Sequence, residues 1–540
     1  MNIPRLPLAA RPAHRCLRNS VVAALLCLTA LAAAAYISTV VFDRLPHTED
    51  EIAFLFQART IAAGQIVASA PALPDFFYMP FIIVRDGMWF GKYPPGYPAV
   101  LALGALAGQP WLINPLFGAA TVGLVYLAGR RLYGTRTGLV AAALIVVSPF
   151  FLLQAGSFLS HVVSLFWAMA FLLLFESARS RHSRGAALLA GTALGMLFLS
   201  RPLTALGVVI PYIIWAAVDM LRERRRFFDY LPVALAFLPF LATLLAYNSL
   251  TAGNMFRTGY ELWWPYDRIG FGPGIGADGE HTLDAALDST QKNVDALASY
   301  LFGWPGSLGL LLPALGVARP IARVFWSGVS RAARSAKLPA SRYLANIDIR
   351  HASQPEAWDI LHLGVVVSLA AVYMAYWAAG QMYGPRYYFE ALGALMLLSA
   401  RGLVQTAGLV SWLLRMLVPA WQTGRSWVGA LAVLVVFGLA SNSLAGFVPT
   451  EFGHFVNWYN IEGSGLRQIQ AAGLRNSVVF IPTTDWPQYA PFFSQNKPTL
   501  DGDVVYASDR GPERNAELMA LFPGRKFYVY LDGRVEKIPR

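Results

Sequence analysis

Apolar stretches long enough to cross a bilayer, roughly 17–25 residues each, recur along the chain at 20–42, 111–130, 137–154, 159–178, 185–200, 203–221, 229–249, 303–323, 359–379, 387–405 and 427–446. In hydrocarbon each backbone N–H and C=O must find a partner inside its own segment, so such stretches become helices. The expectation is an all-α polytopic membrane protein with about 11 transmembrane helices. Composition supports this over several soluble domains: 56% hydrophobic and 14% charged residues cannot cover the surface of a soluble chain of 540 residues.

The first stretch, Val21 to Val41, follows Arg5, Arg11, Arg15 and Arg18. It is too long for the apolar core of a signal peptide and no small-residue cleavage site follows, so it reads as a retained span. The segment Tyr97–Gly108 is apolar but short and reads as a re-entrant or interfacial helix. The two cysteines, Cys16 and Cys27, supply neither a disulfide framework nor a metal site to the rest of the chain.

Lys and Arg outnumber Asp and Glu by 43 to 31. In a membrane chain this excess reads as cytoplasmic loops rather than nucleic-acid binding. With the N-terminus in the cytoplasm, Arg130, Arg131 and Arg136 fall inside. So do Arg179, Arg181 and Arg184, then Arg222 and Arg224 to Arg226, the loop from Arg319 to Arg350 with Arg331, Arg334 and Lys337, and Arg415 with Arg425. Outside lie Asp43 to Gln109, the loop from Asn248 to about Ala298, the turn Gly380–Tyr388, and a tail from about Phe447. The linker 324–358 reads as an amphipathic cytoplasmic surface segment. The tail carries strand-like runs at Ser477–Ile481 and Lys526–Leu531 and turns at Asp501-Gly502 and Asp532-Gly533. The chain therefore divides into a membrane domain, 1–446, whose first external loop is 43–110, and a small external α/β domain, 447–540. For Trp458, Tyr459, Trp486 and Tyr489, packing in the core of that domain is the preferred reading over contact with a glycan or protein.

Candidate chemistry collects at the external ends of the spans. His47-Thr48-Glu49-Asp50-Glu51 opens an amphipathic helix, Ile52 to Ala63. Acids there complement the helix dipole and cap its amides, but capping needs only one of the three. Gly91-Lys92-Tyr93-Pro94-Pro95-Gly96-Tyr97-Pro98 is a rigid turn presenting Lys92 and two tyrosines. Its competing reading is an aromatic and lysine anchor at the headgroups. Arg201, before Pro202, and Arg386, in Pro385-Arg386-Tyr387-Tyr388, stand where positive charge is disfavoured, so each needs an anionic partner. A ligand phosphate would serve, and so would a structural ion pair with Asp50 or Glu390. Ser160-His161 starts a span from outside, more often a polar cap than a ligand or base.

Taken together these segments resemble the GT-C glycosyltransferases, in particular the dolichyl-phosphate-mannose protein mannosyltransferase-like group that includes bacterial aminoarabinose transferases. Glu49-Asp50-Glu51 with the helix after it is similar to that group's acidic motif. Lys92-Tyr93-Pro94-Pro95 resembles its Lys-Pro-Pro segment, and Gly129-Arg130-Arg131-Leu132-Tyr133-Gly134 its cytoplasmic turn. Pro385-Arg386-Tyr387-Tyr388 resembles a motif at an outer span boundary. The resemblance covers most of 20–405. It implies a GT-C-like fold and an inverting glycosyltransferase of the cell envelope, active for example in protein glycosylation, using a polyprenyl-phosphate sugar donor. Asp50 falls on the catalytic carboxylate, with Glu51 beside it and Glu49 as a third. Lys92, Tyr93, Arg201, Arg386, Tyr387 and His161 fall at the substrate and its phosphate. The acceptor is a lipid, protein or glycan; nucleic acid is not a partner. The location implied is a bacterial inner membrane with the tail periplasmic or extracellular. The chain departs from the group in two places: some members carry an acid where this one has Lys92, and many carry Asp where it has Ser160-His161. No cofactor follows from the sequence, and a divalent metal is unsupported.

A multi-span transporter or lipid-linked-sugar flippase is the alternative. Transporters gather charge near the midplane in broken helices, whereas here it gathers at the outer boundary. A non-catalytic assembly partner docking through the tail is the third reading.

Overall fold

A computed structural model describes residues 10–334, 354–417, 425–531 and 533–539. Among the described residues seven helices are long and apolar enough to cross a membrane: Leu17–Val40, Pro110–Tyr133, His161–Arg181, Pro202–Arg222, Arg224–Ala252, Pro355–Met374 and Arg386–Trp412. This is the expected integral membrane bundle. The predicted span at 137–154 is instead two helices, Thr135–Val146 and Pro149–Gly156, bent by 62° and making an eighth crossing if counted together. The break is local chemistry: Pro149 cannot donate into the preceding turn, and the Ser148 hydroxyl caps the new helix by accepting from Phe151 N at 3.4 Å. The stretch at 185–200 is a shorter apolar helix, Arg184–Ser200, and those at 303–323 and 427–446 lie in Leu308–Arg334 and Arg425–Asn442. Most of the predicted linker 324–358, with Lys337 and Arg350, lies outside the described residues.

Close packing between helices rests on small residues where backbones meet, as membrane bundles require. At Gly129 an added Cβ would stand 2.6 Å from the Gly138 Cα, so the turn between Ile113–Tyr133 and Thr135–Val146 closes only without side chains there. The arginines assigned to the inside gather at one end of the bundle. Arg179 binds Asp219 at 2.7 Å, and Asp229 takes both Arg226 (3.3 Å) and His182 (2.9 Å). His161 and Arg179 stand near opposite ends of the helix His161–Arg181, on the order of 30 Å apart.

At the other end, the segment read from the sequence as external, hereafter the first external segment, folds onto the bundle. It comprises the helix Glu49–Ala62 (hereafter the acidic helix), a three-stranded antiparallel sheet in the order Ala68–Ser69, Met88–Gly91, Ile82–Arg85, and the short helix Gly96–Leu106. The last matches the expected re-entrant or interfacial element. Gly96 pins it in place: a Cβ there would come within 2.4 Å of the Leu199 carbonyl carbon, so the Lys92 turn sits directly against the end of Arg184–Ser200.

The tail is a small α/β unit, as its alternating pattern predicted. Its four-stranded sheet has the order Val504–Ser508, Ser477–Ile481, Lys526–Leu531, Arg534–Lys537; the first three strands are parallel and the last is antiparallel. The helices Trp486–Phe493 and Pro512–Leu521 form the crossovers. The central strand is buried along its whole length, as a strand covered on both faces should be. Tyr489 packs in this core and donates to Tyr506 O at 2.7 Å, while Tyr459 is 43% exposed. The tail grips the first external segment. Arg467 binds Asp43 at 2.7 Å, Arg514 binds Asp75 at 3.0 Å, and the His47 imidazole lies between the carbonyls of Leu45 (3.0 Å) and Ile461 (3.1 Å). Phe56 and Trp89 pack on Phe493.

Candidate active site

The acidic helix sorts its three acids by phase. Thr48 is the N-cap, and its hydroxyl accepts from Glu51 N while the Glu51 carboxylate reaches back: a capping box. Glu51 Oε2 accepts from His47 N (2.6 Å) and Thr48 N (3.2 Å), and Oε1 accepts from Phe158 N (2.9 Å). Burial pushes this carboxyl up to about 7, against the pull of the three amides. Its oxygens are thus engaged in joining the helix start to the loop before His161. Glu51→Ala would leave three buried N–H groups without an acceptor, at about 1–3 kcal/mol each. The expected outcome is a melting temperature in detergent several degrees below wild type, read by intrinsic fluorescence.

Asp50 points the other way. Its Oδ2 accepts from Arg386 Nη1 at 3.0 Å, and its Oδ1 accepts from the Tyr93 hydroxyl. The side chain is 18% exposed. Burial pushes its carboxyl up, but the charges of Arg386 and Lys92 and the hydrogen bonds from Tyr93 and Arg386 outweigh it and hold the group below the usual carboxylate range. Asp50 is therefore ionised at neutral pH and still reachable. Glu49 is half-buried beside it; burial first, then the neighbouring Asp50, raises its carboxyl.

Lys92 lies against the same group. Its Nζ stands 3.4 Å from the ring centre of Phe81, 4.7 Å from Trp264 and 5.3 Å from both Tyr93 and Tyr260. Asp267 Oδ2 is 4.0 Å away and has no hydrogen-bond partner, while its Oδ1 accepts from Tyr376 (2.8 Å) and Trp377 (3.0 Å). Burial, the dominant influence, pulls the ammonium down to about 8, although Asp50 and Asp267 favour its charged form.

Arg201 and Arg386 flank one ring: Tyr387 has the Arg201 guanidinium at 5.7 Å and that of Arg386 at 5.4 Å, and it stacks on Tyr373 at 4.6 Å. Arg201 pairs with Glu390 at 3.3 Å and donates to Ser160 (3.2 Å), Tyr373 (3.1 Å) and Thr204 (3.1 Å). His161 Nδ1 lies 3.1 Å from the same Glu390 oxygen, and its ring packs edge-on to Phe389. Both ion pairs weighed from the sequence are therefore present. His161 is buried, with Glu390 shared between its ring and Arg201. Among the described residues Glu390 Oε2 and Arg386 Nε are buried without a hydrogen-bond partner. Among the described residues no three His, Cys, Asp or Glu side chains come together to hold a metal ion.

The structure thus brings together Asp50, Glu49, Tyr93, Lys92, Arg386, Tyr387 and, through Tyr387, Arg201. Sequence reasoning nominated none of Phe81, Tyr260, Trp264 and Asp267. The last three stand in a single run, Tyr260 to Asp267, inside an external loop flagged only as a whole. An acid closing a run of four aromatics, Tyr260, Trp263, Trp264 and Tyr266, was the available signal.

Residues 94–247 match the family described as dolichyl-phosphate-mannose-protein mannosyltransferase. Along nearly its whole length the chain is similar in structure to ArnT from Cupriavidus metallidurans. The undecaprenyl phosphate-bound form gives a TM-score of 0.51 at 14% identity, covering 94% of this chain and 92% of that one. The apo form gives 0.52 at 13%, covering 94% and 91%. The chain has a GT-C-like fold. The matched family segment contains His161 and Arg201, whereas Asp50, Lys92 and Arg386 lie outside it. Residues 477–536 match a domain of unknown function, DUF7846. A sequence search finds no curated protein that matches the chain.

Proposed function

We propose that this GT-C chain moves a sugar from a polyprenyl-phosphate donor to an acceptor on the non-cytoplasmic face, with inversion, and that Asp50 is the general base. One observation carries the reading: an ionised, partly exposed carboxylate stands in direct contact with one of three cations grouped at one end of an apolar bundle. In such a transfer the acceptor hydroxyl must lose a proton as the phosphate departs. Asp50 takes the proton. Arg386 and Arg201, held at fixed angles by Tyr387, Glu390 and Tyr373, face the charge that develops on the leaving phosphate, and Lys92 adds to it. Tyr93 orients the carboxylate. An attack from the Asp50 side on a sugar whose phosphate lies among the cations is a single displacement, and a single displacement inverts the anomeric centre. The arginine clusters at the opposite end of the bundle support the sidedness. The matched family and the undecaprenyl phosphate in the similar ArnT structure support a polyprenyl-phosphate donor.

The test is transfer of radiolabelled sugar from polyprenyl phosphate by the purified chain in liposomes, with an envelope extract as acceptor. The expected result is label in the acceptor with inverted anomeric configuration. Label that stays on the polyprenol but crosses the bilayer would replace the reading with a flippase.

Lys92 adds a pH dependence. Its ammonium is charged below about 8 and neutral above, so donor binding weakens as pH rises through that value. The expected result is a rise in donor KM above pH 8 that disappears in Lys92→Arg, whose guanidinium stays charged. An unchanged alkaline limb in that variant would assign it elsewhere.

A further inference from the structure

The acidic helix has a second occupied face. Arg59 follows Asp50 by nine residues, which puts it on the opposite side of the helix, away from the candidate active site. That side lines a groove of about 510 Å³ between the first external segment and the tail, whose walls include Arg44, Arg59, Trp111, Arg467, Gln470 and Gln495. Of the three arginines only Arg467 has a carboxylate, Asp43 at 2.7 Å. Arg44 lies over the Trp111 ring at 4.8 Å, and Arg59 donates one hydrogen bond, to Asn496 O at 3.1 Å. Among the described residues neither has an acid within 4.0 Å. No neighbouring charge acts on Arg59 either, since burial alone pulls its guanidinium down to about 10. The groove thus holds two guanidiniums in excess of its carboxylate, one of them largely removed from water.

The groove's location says what kind of anion fits. Thr39, in the last turn of the span Leu17–Val40, and Pro110, at the start of Pro110–Tyr133, are both at its edge. Its mouth is therefore level with the ends of two spans, where lipid headgroups sit. Guanidiniums bind phosphate oxygens by paired hydrogen bonds. The amides of Gln470 and Gln495 suit hydroxyls beside such a phosphate. The cations assigned to the sugar donor stand on the other face of the helix, so the groove is a separate site and stands independently of the proposed reaction.

We propose that this groove binds the phosphate of an anionic membrane lipid, with its hydroxylated headgroup against the glutamines, so that a lipid ties the tail to the first external segment. The test uses the full chain in detergent, stripped of lipid, and native mass spectrometry during titration with phosphatidylglycerol, with phosphatidylcholine in parallel. Wild type is expected to bind phosphatidylglycerol about tenfold or more tightly than phosphatidylcholine. Arg44→Gln/Arg59→Gln is expected to lose that preference, each charge-assisted contact being worth roughly tenfold. Arg44 is exposed, so Arg44→Gln alone keeps the fold and should weaken binding severalfold even if the double variant does not fold. Equal binding of the two lipids by wild type, or an unchanged preference in Arg44→Gln, overturns the site. Full displacement of the lipid by millimolar sn-glycerol 3-phosphate would make the ligand a free phosphate and overturn the lipid assignment.

Discussion

Asp50→Asn is expected to abolish sugar transfer, with a loss of about 10²–10⁴-fold for the missing general base, while the chain stays monodisperse in detergent. Asparagine keeps the side-chain shape and can still accept from Arg386 through its oxygen, with its amide nitrogen donating to the Tyr93 hydroxyl. What it loses is the negative charge and the ability to take a proton. The variant separates two explanations of the acidic triplet. Glu51, whose oxygens serve three backbone amides, holds the helix start; Asp50, whose contacts are side chains only, does not. Substitution at 50 should therefore strike rate with a small change in melting temperature, and substitution at 51 should strike melting temperature first. Near-normal transfer by Asp50→Asn, measured with the same donor and acceptor, would remove the base assignment.

Arg386→Gln is expected to be the second most damaging change, for two reasons that can be measured separately. The first is lost stabilisation of the departing phosphate, on the order of 10²–10³ in kcat for one donor in a water-poor site. The second is a change in pH dependence. Burial pushes the Asp50 carboxyl up, and the Arg386 charge is the largest influence opposing it. Without that charge the carboxyl titrates at higher pH. Wild type, with Asp50 below the ordinary carboxylate range, should show no acid limb near neutrality. The variant's residual activity should rise with pH over a range where wild type is flat. A residual activity with the wild-type pH profile would mean that Asp50 does not depend on Arg386.

What the sequence revealed and what it hid follow from the range of the interactions involved. The spans, the short helix at Gly96–Leu106 and the α/β tail were legible because each is set by local periodicity and length. The broken span at 147–148 was legible in principle, since Ser148-Pro149 is a start signal for a new helix, but a continuous apolar run masked it. The acids and cations were picked out because charge at a membrane boundary is costly without a purpose. Which acid does what was not legible from composition, though Thr48-x-x-Glu51 already carried the capping signature. The ring enclosure of Lys92 was hidden for a different reason. Phe81 and Lys92 belong to one segment, whereas Trp264 and Asp267 come from a loop more than 170 positions further on. Only tertiary packing joins them.

The grip of the tail on the first external segment also sets a timetable. His47 meets Ile461, Asp43 meets Gly463 and Arg467, and Arg59 meets Asn496 across separations of 414, 420, 424 and 437 residues. Contacts so far apart form late and slowly. A ribosome-bound or prematurely ended chain carries Asp50 but lacks the wall behind it. Assembly of the candidate site is thus tied to residues 461–496, which supply that wall.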